Sequence, residues 1–375
     1  MRRTIICKVL LLATASILSG TTAQASTPAE QLHDGRLWGR NGANGERASL
    51  LRAIDLNLRV LRSRRGRAYY RRPFLNRRVT HSRILASLQR FRQLLKYSSS
   101  QNAFYASLAR EFEFVPIHHP ERAVHFTAYY TPEYSASRKR TNRYRYPLFA
   151  LPKNFNRWPR PHQTRERLEG RSGLQISSLL RGREIAFLPS RMDAFLAHVQ
   201  GSVRLRFPDG KTMQLGYAGA TGHSYTSIGR ELVSDQKLSW NELTLPAVRE
   251  YFRDHPHELN DYLPRNKRFV FFRRTSGPAR GALGTPLVAE RSIATDKSIF
   301  PPGALYLASI RFENPSAQSV WNANSVTRFL LDADVGSAIK GPGRVDLYMG
   351  VGRGAEERAG VVNSNAEMYL LLLKS

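Results

Sequence analysis

The chain holds 375 residues, and only 29 of them are acidic against 58 lysines and arginines. Within that scarce set, three aspartates have the surroundings that carboxyl chemistry needs. Asp296 lies in Ser292-Ile293-Ala294-Thr295-Asp296-Lys297, Asp334 opens Asp334-Val335-Gly336-Ser337, and Asp346 sits in Arg344-Val345-Asp346-Leu347-Tyr348. Each has apolar residues close by. A carboxyl held among apolar and like-charged neighbours titrates above its ordinary range, which is what a general acid near neutral pH requires. Cleavage of a glycosidic bond is chemistry of that kind, with a proton delivered to the leaving oxygen and an oxocarbenium-like transition state to stabilise. Composition leaves a plainer alternative open, because aspartate at a strand end is often a turn former.

Other chemistries have less support. His118 and His119 are adjacent and His255 and His257 are two apart, and neither pair has a third ligand at a usual zinc spacing. They read as surface or packing histidines, and no metal or cofactor is expected. There is no Gly-x-Ser-x-Gly nucleophile elbow. The run Gly350-Val351-Gly352-Arg353-Gly354 lacks both the ending of a P-loop and the strand-to-helix setting of a dinucleotide fingerprint, and it is read as a turn.

The elements that must position the aspartates are mostly strands. Two helical patterns come first, Leu51, Ile54, Leu58, Leu61 and then Ile84, Leu88, Phe91, Leu95. Strand composition follows at Val124 to Tyr130, Val203 to Phe207 and Arg268 to Arg273, with Asp209-Gly210 as a hairpin turn. A helix is predicted over Pro246 to Asp254 with Thr244 as its cap. After Gly277 the pattern is short strands and turns, at Ala304 to Phe312, Val326 to Leu331, Val345 to Met349 and Met368 to Leu373. Strands so spaced suggest a barrel.

The net charge of +29 favours polyanionic partners: nucleic acid, an anionic membrane surface or an acidic polymer such as cell wall. Arg62, Arg64, Arg65, Arg67, Arg71, Arg72, Arg77, Arg78 and Arg83 form a cluster with no acid among them. It reads either as a solvated loop or as an electrostatic anchor. Tyr69 and Tyr70 inside it would also suit stacking on nucleic acid. The N-terminus argues against that partner. Arg2, Arg3 and Lys8 precede a mostly apolar run from Ile5 to Leu18, and Ala23-Gln24-Ala25 is a small-x-small cleavage site. This is the pattern of a secretory signal peptide over residues 1–25. An N-terminal membrane anchor is the alternative, although the run falls short of the ~20 residues a span needs. The one cysteine, Cys7, lies inside the apolar run, so neither disulfides nor a lipid-bearing cysteine is expected after cleavage.

Several longer motifs, in order, resemble the membrane-bound lytic transglycosylase A family with its C-terminal "3D" region. They are Phe126-Thr127-Ala128-Tyr129-Tyr130-Thr131-Pro132, Val199-Gln200-Gly201-Ser202, Tyr217-Ala218-Gly219-Ala220-Thr221-Gly222-His223-Ser224-Tyr225-Thr226-Ser227-Ile228-Gly229-Arg230, Phe269-Val270-Phe271-Phe272 and the three aspartate segments. The resemblance runs from about Val124 to the C-terminus. It implies a mainly β protein with N-terminal helices: a double-psi β-barrel (residues 26–131 and 274–375) carrying an inserted second β-barrel (132–273), with a glycan groove between them. It also implies that Asp346 is the single catalytic acid, with Asp334 and Asp296 shaping its field and hydrogen bonds. Contacts to the glycan are implied at Thr127, Tyr130, Thr131, Gln200, Ser202, Tyr217, His223, Tyr225 and Lys340. The implied partner is the glycan strand of peptidoglycan, acted on by a monomer in the periplasm without a transmembrane anchor. Two positions depart from the family pattern: Ser337 stands in place of a second glycine, and Val203 stands where glycine commonly follows Gly-Ser, so a turn could change or the groove narrow. Edman sequencing of the exported protein is expected to begin at Ser26; retention of residues 1–25 would mean an anchor instead.

Overall fold

Apolar spacing at the start of the chain becomes a layer of helices. The computed structural model describes residues 32–39, 45–71, 74, 79–117, 123–312 and 325–374. The expected signal peptide (residues 1–25), His118, His119 and Arg72, Arg77 and Arg78 lie outside the described residues. The helices are α1 (Arg47–Arg62), α2 (Arg64–Tyr69), α3 (His81–Tyr97) and α4 (Gln101–Glu111). Ile54, Leu58, Leu61, Ile84, Leu88, Phe91 and Leu95 are all buried in one core, with Leu51 packed at its margin. The basic cluster is therefore partly helical, because Ser63 caps α2 by accepting from Gly66 N. Thr80 and Ser100 cap α3 and α4 in the same way.

Strand β1 (Phe112–Pro116) and strand β2 (Val124–Thr131) follow. The chain then builds a second sheet system from β3 (Glu133–Ser135), β4 (Tyr146–Phe149), β5 (Glu184–Leu188), β6 (Ser202–Arg206), β7 (Thr212–Ala220) and β8 (Val270–Thr275). Helices α5 (Arg165–Glu169), α6 (Arg191–Gln200), α7 (Ile228–Ser234), α8 (Leu245–Asp254) and α9 (Leu259–Tyr262) lie among these strands. Four strands pair in the order β3-β6-β7-β8, and β4 pairs with β5. Isolated bridges Ser137–Phe187 and Ala150–Phe272 connect the two sheets at both ends, so six strands close on themselves around Leu148, Leu188, Val203, Leu205, Leu215 and Phe272. Val203 points into that core and pairs with Leu215. Its extra bulk is absorbed there, and it narrows nothing on the outside. Thr244 caps α8 by accepting from Ala247 N at 3.3 Å.

The chain then returns to the first sheet with β9 (Ser292–Ala294), β10 (Leu305–Phe312), β11 (Ser325–Asp334), β12 (Arg344–Val351) and β13 (Asn363–Leu373). The order is β1-β13-β10-β11-β9-β12-β2, and the additional β13–β2 pairing closes a ring of six strands. Strands β9 and β11 run parallel, as do β12 and β2, while the other ring neighbours are antiparallel. The glycine run read as a turn is a strand-to-helix junction: β12 ends at Val351, Gly352 at φ 82° precedes helix α10 (Arg353–Gly360), and Gly350 has φ 107°. Only glycine adopts such angles without strain, and helix propensity in the polar sequence after Gly352 was too weak a signal. Among the described residues, no helix is long and apolar enough to cross a membrane.

An ionic knot ties the N-terminal segment to the ring. Asp34 is fully buried and is bonded to Arg291 Nη1, to Arg328 Nη1 at 2.9 Å and to Phe329 N at 3.2 Å. Glu46 adds a second contact to Arg291 at 2.8 Å. Breaking such a pair strands a buried cation. Asp34→Ala is expected to lose about 3–5 kcal/mol in chemical denaturation, and a loss below about 1 kcal/mol would show the knot to be dispensable.

Candidate active site

Alternation along β12 decides which way each side chain faces. Val345, Leu347 and Met349 join the ring core, so Arg344, Asp346 and Tyr348 point outward. Asp346 pairs laterally with Thr127 of β2 and with Ala294 of β9. A strand bonded on both edges leaves it little freedom. Thr127 Oγ1 donates to Asp346 Oδ1 at 2.8 Å, and among the described residues no hydrogen bond engages Oδ2. Burial pushes the Asp346 carboxyl up to about 6, against the Thr127 hydrogen bond and the Arg344 charge, with Asp334 adding to the rise.

Asp334 is anchored more tightly. Its Oδ1 accepts from Ala282 N at 2.7 Å and Val335 N at 2.9 Å, and Oδ2 accepts from the Tyr129 hydroxyl at 2.8 Å. Burial raises its carboxyl, and those three donors oppose the rise. It reaches Asp346 through its charge. Asp296 is different again: burial works upward, but donors from Ser298 and Gly341 N leave it below the usual range. It accepts from Ser298 N at 2.9 Å, Ser298 Oγ at 2.7 Å and Gly341 N at 3.0 Å. Such a carboxylate stays ionised and holds the turn at Gly341; it is no proton donor. The exposed Lys340 acts on Asp296 by charge.

The other expected contacts divide. Tyr130 and Thr131 were expected to touch the glycan, yet they are 1% and 0% exposed. Tyr130 packs into the ring core. The Thr131 hydroxyl is enclosed between Ser202 Oγ at 3.2 Å and Tyr348 OH at 3.0 Å. Both close the seam between the two sheet systems and have no surface to offer a ligand. Gln200 works there too, its Oε1 accepting from Tyr130 N at 3.1 Å. Gly201 follows in the left-handed region at φ 69° and ends α6. Beside it, Tyr217 is 48% exposed, a free aromatic face. His223 Nε2 is engaged with His162 O at 2.7 Å, which braces its loop. Tyr225 is near enough to Asp346 and Arg344 for their charges to act on its hydroxyl, which burial raises.

Four residues inside the quoted motifs were given no role there. Arg344 precedes Asp346 by two and donates to Thr127 Oγ1 at 3.3 Å. Arg230 of α7 acts on Arg344 by charge. Tyr129 holds Asp334, and Tyr348 joins the seam. For Arg344, the i, i+2 spacing to Asp346 was the available signal. Among the described residues, no cluster of three or more His, Cys, Asp or Glu could hold a metal ion.

A closed six-stranded ring with an outward carboxyl, joined to a second sheet system entered from β2 and left by β8, defines a two-part mainly β scaffold. Residues 125–273 match the MltA specific insert domain, and residues 291–372 match the 3D domain. The chain belongs to the membrane-bound lytic murein transglycosylase A family. It is 34% identical over 251 residues to membrane-bound lytic murein transglycosylase A of Escherichia coli K12, an alignment covering 66% of this chain and 65% of that protein. The chain thus spans just under two thirds of that relative's length. Among solved structures, a membrane-bound lytic murein transglycosylase from Agrobacterium tumefaciens is similar with TM-score 0.70 and 27% identity, over 86% of this chain and 92% of that one. Escherichia coli MltA with bound chitohexaose is similar with TM-score 0.70 and 26% identity, over 87% of this chain and 90% of that one.

A carboxyl raised in the folded state binds its proton more tightly there, so its contribution to stability is full at low pH and falls as pH rises from about 4 through about 6. Asp346→Asn removes that loss. The variant is expected to be more stable than the parent by about 1–3 kcal/mol at pH 7 and nearly equal at pH 4, as read from urea unfolding. Equal stability at both values would show Asp346 to be unperturbed.

Proposed function

We propose that this protein is a peptidoglycan lytic transglycosylase with Asp346 as its one acid and base. In this reading the six-stranded ring is a double-psi barrel formed by residues 26–131 and 274–375. Residues 132–273 are the insert, and a glycan lies in a groove between them. The names of the relatives and the chitohexaose bound to the Escherichia coli protein support a glycan substrate. The observation that carries the reading is the Asp346 carboxyl itself: outward on a central strand, raised to about 6, and with one oxygen unengaged.

The chemistry follows from that geometry. Protonated Asp346 gives its proton to the oxygen linking N-acetylmuramic acid to N-acetylglucosamine. The resulting carboxylate takes the proton of the muramic acid's C6 hydroxyl, whose oxygen attacks C1. A 1,6-anhydro ring closes, and no water is consumed. An internal nucleophile lets one acid/base do what a hydrolase divides between two carboxyls. Asp334 would be the second carboxyl of a hydrolase, but both its oxygens are committed to Tyr129, Ala282 and Val335. No metal or organic cofactor enters the reaction. We place the protein in the periplasm as a monomer, held to the wall or outer membrane by its charge.

Digestion of purified sacculi followed by mass spectrometry is expected to give 1,6-anhydromuropeptides. Asp346→Asn is expected to lower the rate by at least about 10³-fold with an unchanged circular dichroism spectrum. Reducing ends in place of anhydro ends would overturn the reading in favour of hydrolysis. Since the donor must be protonated, the rate is also expected to fall as pH rises through about 6, and a rate still climbing to pH 8 would exclude Asp346 as the acid.

A further inference from the structure

Arg344 and Asp346 leave β12 on one face, two residues and so about 7 Å apart along the strand. That is about the width of one sugar ring. A single hydroxyl joins them: Thr127 Oγ1 accepts from Arg344 Nη2 at 3.3 Å and donates to Asp346 Oδ1 at 2.8 Å. The buried Nε of Arg344 has no hydrogen-bond partner among the described residues. A second guanidinium, Arg230, comes from the first turn of α7 in the other sheet system; it is exposed, and its charge bears on Arg344. The charged and titratable groups around Arg344 are Asp346, Arg230 and Tyr225, and those around Asp346 are Arg344, Asp334, Tyr129 and Tyr225. Among the described residues, Asp346 is thus the carboxylate that bears on Arg344, and it must be neutral when it donates its proton. At that moment Arg344 loses its counter-charge, a costly state for a partly buried guanidinium unless a ligand supplies one.

Resting on the reading of Asp346 as the acid, we propose that Arg344, with Arg230, forms an anion subsite that binds a carboxylate carried on the C3 side chain of the muramic acid. That carboxylate is either the free lactyl group of a peptide-stripped strand or one belonging to an attached stem peptide. The subsite separates murein from neutral amino-sugar polymers, which have no charge at C3. It also helps the reaction: an anion on Arg344 offsets the pull of that arginine on Asp346, so the bound substrate favours the protonated donor.

The test is equilibrium binding to the full chain carrying Asp346→Asn, which prevents cleavage and keeps the site at the charge it has with its acid protonated. Three probes are compared at low salt: peptide-stripped murein strands, stem-bearing murein strands and chitohexaose. At least one murein probe is expected to bind about ten-fold tighter than chitohexaose, and whichever does so identifies the source of the carboxylate. Adding Arg344→Met is expected to reduce that preference to within about two-fold while chitohexaose affinity is unchanged, and Arg344→Lys to restore part of it. Equal binding of all three probes, or an Arg344→Met loss that falls equally on chitohexaose, would overturn the subsite. Cleavage of sacculi by Asp346→Asn alone would instead remove the acid assignment and leave the binding comparison standing.

Discussion

The desolvation of one carboxyl is the constraint around which this structure is arranged. Asp346 is held on β12 between β2 and β9, which fixes the backbone from which its carboxyl projects. Near it stand the packed rings of Tyr129 and Tyr348, and Tyr225, on whose hydroxyl the Asp346 charge acts. Burial then outweighs the two influences that would keep it ionised, the Thr127 hydroxyl and the Arg344 charge. Asp334 and Asp296 show that the effect belongs to the setting. Asp334 is crowded with donors and still raised, whereas Asp296, with donors from a neighbouring turn, ends below the ordinary range.

That setting requires the two sheet systems to meet closely, and the seam is built from polar contacts. Thr131, Ser202 and Tyr348 share one hydroxyl cluster, and Gln200 bonds the backbone of Tyr130. Elsewhere along the join, Arg249 of α8 reaches Glu356 of α10 at 2.6 Å, while holding Asp193 at 2.9 Å and the Tyr134 hydroxyl at 2.9 Å. Directional bonds set a register that apolar packing alone would leave free to slide. Four of the residues in this seam, Tyr130, Thr131, Gln200 and Ser202, are ones whose motifs suggested direct sugar contact.

Scarce acid in a strongly basic chain also shapes the fold. Asp34 and Glu46 hold the buried guanidiniums of Arg291 and Arg328, and Asp332, raised to about 6 mainly by burial, is bonded by Lys297 and Thr295. Three of the chain's few carboxylates are thus committed to internal cations, and the arginines of α2 and its flanks face outward without acidic neighbours in sequence. The field outside is positive, as suits an acidic polymer.

Local pattern was enough to determine the helices around Ile54 and Phe91, most strands, the cap at Thr244 and the aspartates in their motifs, because each depends on neighbours a few residues away. It could not say which face of β2 Tyr130 and Thr131 would take, that Arg344 and Arg230 would come together, or that Gly352 would begin a helix. Those outcomes depend on pairings between residues far apart in the chain, Asp346 with Thr127 and Thr131 with Tyr348 among them. Strand register and the seam are long-range choices, and whether a carboxyl gains a proton depends on how much water such choices leave beside it.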